Sequence, residues 1–275
     1  MSRNEARGRA DIILADTITK LGPDAPGSVI LSGSHGGVYP GYVAAKAGVR
    51  AVVLNDATGG LQDAGYGSLP YCQKLGIAAA AVDGMTARIG SATDMQQNGI
   101  ISRANDVAVA AGVAKGMTCS EALEKLRSAA PPPEMDVPTD QERREEINLP
   151  GANRKIVLID SAAMPIPDDA RQVVITGSHG ALLGGNPMAA LKVDAFAAFY
   201  NDAGFGPDNW GITRLPALQG RGIAGICVAA TSARIGEAGS TYRDGIVSAV
   251  NELAEEYGIR IGMPAIEAAD HLAKV

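Results

Sequence analysis

Two of the chain's three histidines, His35 and His179, stand in the same tetrapeptide, Gly-Ser-His-Gly, at residues 33–36 and 177–180. An imidazole beside a hydroxyl suits proton transfer and acyl chemistry. Free imidazole titrates near neutrality, and a serine oxygen attacks once a base takes its proton. On that chemistry His35 or His179 would be the general base, and Ser34 or Ser178 the nucleophile or a hydrogen-bond donor. Backbone N–H groups of Gly36 and Gly37, with Gly180 as counterpart, would hold an oxyanion or carboxylate at a helix start.

The tetrapeptide belongs to a long internal duplication. An offset of 179 − 35 = 144 pairs Asp16 with Asp160 and Pro23 with Pro167. Beyond the histidine the offset is 146, pairing Asn55-Asp56-Ala57 with Asn201-Asp202-Ala203 and Ala87-Arg88-Ile89-Gly90 with Ala233-Arg234-Ile235-Gly236. Asp56 (Asp202 in the second copy) or Asp16 would orient the imidazole and raise its basicity. Arg88 and Arg234 would clamp a carboxylate through a bidentate fork, or form a salt bridge to those aspartates. Asn55, Asn201, Thr86 and Ser232 complete the matched polar set. The bland reading is that the glycines serve the turn and the aspartates cap helices. A turn needs no imidazole, so the histidines carry the functional expectation. His35, Asp56 and Asp16 also suit a divalent metal, although no spacing requires one, and no cofactor is expected.

The elements that must position these residues alternate. DIILA (11–15), SVILS (28–32), RAVVLN (50–55) and IAAAAV (77–82) are short apolar runs, as strands buried on both faces are. Residues 39–48, 68–75 and 119–129 have helical length, the last with Ser120 as N-cap. NGIISRANDVAVAAGVAKGM (98–117) reads as one long helix with Ile101, Ala104, Val107 and Ala108 on a face and Gly112 as its stop. The second copy repeats the order, with DGIVSAVNELAEEYG again helical. The fold class expected is α/β: an internally duplicated, pseudo-twofold pair of mainly parallel sheets with helices on both faces, as Rossmann-like repeats. Residues 1–128 form the first repeat, 129–154 a Pro-rich charged linker in which TDQERREEIN is a short solvated helix, and 155–275 the second repeat. In such sheets ligands bind beyond the carboxyl ends of the strands, where all the matched clusters fall.

Two fragments resemble known families. His35-Gly36 followed by Asn55-Asp56-Ala57-Thr58-Gly59-Gly60 resembles the caspase-like cysteine proteases. That family's cysteine is replaced by Thr58 here and by Gly204 in the second copy, so its chemistry does not carry over. The His-Gly-Gly stretch is similar to creatininase-type metal amidohydrolases, without an accompanying ligand pattern. The strand, turn and helix around residue 35 resemble a G-x-S-x-G nucleophile elbow, but histidine holds the middle place.

Composition narrows the partners. With 24 Lys and Arg against 30 Asp and Glu, net charge is −6, which gives no electrostatic case for nucleic acid or an acidic membrane. No phosphate-binding loop or dinucleotide fingerprint is present. Three isolated cysteines read as buried hydrophobes in a reducing compartment. The first sixteen residues lack a signal-type apolar stretch, so a soluble, cytoplasmic homo-oligomer acting on a small molecule is expected. The copies differ around the histidines: Asp83 faces Ala229, and Phe205, Trp210 and Tyr242 occur only in the second. One site, or one active and one degenerate, follows, with Trp210 and Tyr242 as lining or as core. The expected activity is hydrolysis of a small polar amide, imide or ester carrying a carboxylate or carbonyl. The alternatives are an isomerase, racemase or lyase using a His35/His179 acid–base pair, and a non-catalytic small-anion binder.

Overall fold

The computed structural model describes residues 9–134 and 136–275; the first eight residues of the leader reading lie outside the described residues. The chain divides into two compact units. One holds residues up to Ala57 and Gly65–Asp140; the other holds Thr58–Ala64 and Gln141–Val275. Both are α/β, and their sheets are alike, in keeping with an internally duplicated, Rossmann-like arrangement.

In the first unit β1 (Ile12–Ala15), β2 (Val29–His35), β3 (Ala51–Asn55), β4 (Ala78–Val82) and β5 (Ile101–Ala104) lie in sequential order. The first four are parallel, and β5 closes the edge antiparallel to β4. Sequential order leaves no point where strand order reverses, so the crevice that dinucleotide folds use has no counterpart here. The central strands are apolar on both sides because both faces are covered. Ile30, Val52, Leu54 and Ala79 pack against α1 (Val38–Lys46) and α2 (Ser68–Lys74) through Ala44, Leu69 and Cys72. Leu31, Val53, Ala80 and Val82 pack against α3 (Ala92–Asn98), α4 (Asp106–Ala110) and α5 (Cys119–Leu126) through Met95, Ala108 and Leu123.

The second unit orders its strands β11-β10-β9-β8-β7-β6, the last being Arg144–Ile147. Here β7 (Ile156–Ile159), β8 (Val173–His179), β9 (Ala197–Asn201) and β10 (Ala224–Val228) are parallel, with β11 (Val247–Val250) antiparallel at one edge. Its helices are α6 (Arg214–Gln219), α7 (Ala238–Arg243), α8 (Glu252–Glu256) and α9 (Ala265–Lys274).

Four expectations about elements are corrected. Residues 98–117 are not one helix, and neither is 244–258: each is an edge strand followed by a five-residue helix, β5 with α4 and β11 with α8. Asn105 divides the first pair. Its Oδ1 accepts from Ala79 N–H and caps α4 at Ala108, while its amide donates to Ile77 O. The charged stretch Arg144–Ile147 is β6, not a helix, pairing antiparallel with β7 inside the 129–154 segment. It is held by Arg144 on the buried Asp169 (2.6 Å) and Lys155 on Glu146 (2.9 Å). The N-cap of α5 is Thr118, in a capping box with Glu121, and Ser120 instead donates to Gln96 O.

Cys72, Cys119 and Cys227 are free and buried, and burial pushes the first two thiols up to about 12. No helix among the described residues is long and apolar enough to cross a membrane.

Candidate functional site

The repeated tetrapeptide is a strand bulge rather than an elbow. Leu31 pairs with Val53 and His35 with Asn55, so four steps along β2 face two along β3. Ile175–His179 against Phe199–Asn201 repeats this. Such bulges bend a strand end and re-aim its side chains. Gly33 is required there: a Cβ would lie 2.7 Å from Asp16 O, Gly90 C and Ser91 N, all backbone, and Gly90 N–H donates to Gly33 O at 2.7 Å. Gly177 meets Gly236 and Glu237 in the same way.

Most of the matched polar residues serve this scaffold. Ser34 Oγ accepts from Ile18 N–H at 3.0 Å and Ser178 Oγ from Ala162 N–H at 2.9 Å, and neither serine bonds a histidine. Asn55 Oδ1 accepts from Ala57 N–H and its amide reaches Ala87 O; Asn201 repeats this with Ala203 and Ala233. Thr86 and Ser232 clamp the edge strands through Ile100 N–H and Ile246 N–H. Asp16 and Asp160 accept from the first N–H groups of α3 and α7.

The backbone donors expected to hold an oxyanion are engaged. Gly36 N–H donates to Asn55 O (2.6 Å), Gly180 N–H to Asn201 O (2.8 Å) and Gly37 N–H to His35 Nδ1 (3.1 Å). Arg234 is not an unpaired clamp either. Its Nε binds Glu237 at 3.0 Å, Nη1 reaches Gln62 at 3.2 Å, and Asp244 lies 3.8 Å away. Those partners differ from the aspartates expected for it. Arg88 donates its backbone N–H to Asp94 at 2.7 Å, and its side chain is half-buried.

The histidines differ. His179 is only 6% exposed, whereas His35 is half-buried at the end of β2. Burial lowers the His35 pKa to about 4, and no carboxylate counters it. The ring is therefore neutral at physiological pH. Because Nδ1 accepts from Gly37, the ring proton sits on Nε2. Asp56 does not orient this ring: its Oδ1 accepts from Gly84 N–H and its Oδ2 from the Tyr66 hydroxyl, both at 2.8 Å. The expected rise in His35 basicity is thus reversed by burial.

Around His35 the sheet forms a row, His35–Asn55–Val82, followed at each strand end by Gly36, Asp56 and Asp83. With strands ~4.8 Å apart the row spans about 10 Å, the width of a small molecule. Asp83 is half-buried, and its Oδ1 accepts from Met85 N–H at 2.8 Å. Two residues that the repeat did not flag join this place. Tyr66 bonds Asp56, and the Arg103 guanidinium lies 3.8 Å over the Tyr66 ring. Their counterparts at offset 146 are Ile212 and Ala249, so divergence between the copies was the signal that could have found them. Tyr242, by contrast, is core, 7% exposed with its hydroxyl on Asp270, while Trp210 is half-buried in the 3-10 turn Pro207–Ile212.

Among the described residues no group of three His, Cys, Asp or Glu side chains is placed to hold a metal ion, so His35, Asp56 and Asp16 are not gathered into one. Comparison with protein-family models, curated proteins and solved structures finds no match to this chain.

Proposed function

We propose that the protein hydrolyses a small carbonyl compound, an amide, imide or ester, at the strand ends of its first unit, with His35 as a neutral hydrogen-bond donor. The observation that carries this is the Gly37 N–H on His35 Nδ1, which leaves Nε2–H as the only donor of a neutral imidazole. A neutral donor aimed at a carbonyl oxygen stabilises the charge that develops there during attack. Water is then the nucleophile in place of Ser34. Its oxygen bonds to the carbonyl carbon, the bond to the leaving nitrogen or oxygen breaks, and the water's proton travels through a carboxylate to the leaving group. Asp83 suits this proton transfer, being half-buried beside Asp56 and replaced by Ala229 in the second repeat.

The acid–base pair reading has less support, since a His35 whose pKa burial lowers to about 4 is unprotonated at neutral pH and also a weak base, and so serves poorly in either role. Simple anion binding has less support too, because the Gly36 and Gly37 donors and Arg234 are engaged within the chain.

The deciding experiment is formation of the ring-opened carboxylate product, followed by chromatography, from a panel of small lactams, cyclic imides and lactones by wild type, His35→Leu and His179→Leu. His35→Leu is expected to lower kcat about 100-fold and His179→Leu less than about 3-fold, the scale of losing one such donor. Equal losses in the two variants, or no hydrolysis of any member, overturn the reading.

A further inference from the structure

We infer that the second repeat binds the ammonium group of a small primary amine, held by the Asp202 carboxylate and the Ser248 hydroxyl. The first repeat shows what this pair can hold. There Asp56 Oδ2 accepts from the Tyr66 hydroxyl at 2.8 Å, and Ser102 hydrogen-bonds the same phenol oxygen. Both residues thus reach one atom. At the offset of 146 their counterparts are Asp202 and Ser248, while Tyr66 becomes Ile212, which carries no hydroxyl. The backbone frames agree bond for bond. Asp56 N–H donates to Val82 O and Asp202 N–H to Val228 O, each at 2.9 Å. Gly84 N–H meets Asp56 Oδ1 at 2.8 Å, and Ala230 N–H meets Asp202 Oδ1 at 2.9 Å. Each serine is the extra residue of the same edge bulge. Ala81 pairs with Arg103 and Val82 with Ile101, as Cys227 pairs with Ala249 and Val228 with Val247. Ser102 donates to Ala81 O at 3.2 Å and Ser248 to Cys227 O at 3.3 Å.

The charge balance then differs. Asp202 is 2% exposed, and its Oδ1 takes both Gly204 N–H (2.8 Å) and Ala230 N–H (2.9 Å). Among the described residues no N–H or O–H donates to Oδ2. Arg103, over the Tyr66 ring in the first repeat, is replaced by Ala249. The buried Arg214 is spent on the carbonyls of Ala181, Ala189 and Ala190. The Cys227 thiol stays neutral, pushed up by burial and further by the Asp202 charge. Ile212 and Phe205, both half-buried, pack against the apolar cluster that contains Cys227 and Ala249. A buried carboxylate in such surroundings favours a partner that brings positive charge and N–H donors together. An ammonium gives one N–H to Asp202 Oδ2 and a second to Ser248 Oγ, whose own proton is committed to Cys227 O. An alcohol or phenol brings one proton and no charge. The site needs nothing from His35, so it stands or falls apart from the hydrolytic reading.

Three chlorides titrated into the full-length protein by NMR test this: methylammonium, tetramethylammonium and potassium. Methylammonium is expected to saturate in the millimolar range. Tetramethylammonium has the charge but no N–H and should bind at least about 10-fold more weakly, the worth of a hydrogen bond to a charged group. Asp202→Asn should weaken methylammonium by a similar factor and Ser248→Ala by about 5-fold. Ile212→Tyr, which places the first repeat's hydroxyl between the two acceptors, should abolish binding. Absence of saturation by methylammonium, or equal affinity for tetramethylammonium, overturns the assignment. Potassium binding as tightly as methylammonium also overturns it, marking an inorganic cation site instead. Unchanged binding in Ser248→Ala and Ile212→Tyr does the same, and the wild-type comparison of ions holds even if a variant fails to fold. His35→Leu should bind methylammonium as wild type does, and a loss there would contradict a site confined to the second repeat.

Discussion

The two units carry the same histidine-bearing bulge and then hold the next stretch of chain by different physics. After His35 comes α1, nine residues whose carbonyls are largely satisfied along the helix and whose Ala44 and Ala45 pack into the core. After His179 the chain makes two 3-10 turns, Leu183–Gly185 and Pro187–Ala189. Gly184 at φ 61° and Pro187 leave no room for a regular helix there. The carbonyls such a helix would have used are met by side chains, chiefly Arg214, with the Tyr200 hydroxyl also on Ala190 O at 2.8 Å. Arg214, 3% exposed, donates to Ala181 O (3.0 Å), Ala189 O (3.1 Å) and Ala190 O, and lies over Tyr200. Its counterpart in the first unit is Ser68. Both make the same backbone bond, Ser68 N–H to Gly36 O and Arg214 N–H to Gly180 O, each 2.8 Å. A duplicated backbone thus keeps its hydrogen-bonding demand even when the element that met it is lost.

Three measurements put this contrast between the units to the test. Arg214→Met should be the most damaging, costing about 2–3 kcal/mol, because it leaves the buried Ala181 carbonyl without its side-chain donor and removes a shared donor from Ala190 O. Ser68→Ala should cost about 1 kcal/mol or less, since its side chain makes no comparable bonds. Urea unfolding of both variants decides, and similar losses would remove the contrast.

The second concerns pH. Burial depresses the His35 pKa from 6.5 to about 4, so the folded state resists the proton that the unfolded chain accepts. Stability from this group is complete above about pH 6.5 and is lost as pH falls toward 4. At pH 5 the loss is ~2 kcal/mol. His35→Leu should flatten that limb of the stability–pH curve, and an unchanged slope would contradict the burial argument.

The smallest effect tests equivalence. Ser34→Ala and Ser178→Ala should each cost about 1 kcal/mol through the N–H of Ile18 or Ala162, and hydrolytic activity should survive in both. A collapse of activity in Ser34→Ala alone would restore serine as nucleophile.

The parallel strands were legible because β2, β3, β4 and their counterparts are apolar on both faces, a pattern the sequence displays directly. The edge strands were not. In 98–117 the apolar positions Ile101, Ala104, Val107 and Ala108 fit a helical stripe, yet Asn105 splits them between β5 and α4. The run Arg144–Ile147 reads as a solvated helix, and only the open edge of β7 makes it a strand.

The place of the candidate site was legible too, since matched polar residues mark the strand ends. The roles were not, because they depend on which partner takes each hydrogen. Ser34, Asn55, Gly36 and Gly37 are polar groups whose bonds stay inside the fold, and repetition preserves what the fold needs. Tyr66 and Arg103 escaped notice for the converse reason: they break the repeat.

The contact of Gly33 with Gly90 makes two distant stretches a single inherited signature. Gly-Ser-His can bulge only where a glycine turn of the Ala-Arg-Ile-Gly kind arrives to meet it, 57 residues later in the first repeat and 59 in the second. A relative would be recognised by the two halves together, and a substitution in one should be mirrored in the other. A chain that carries either half alone is not a relative in the sense that matters for this site.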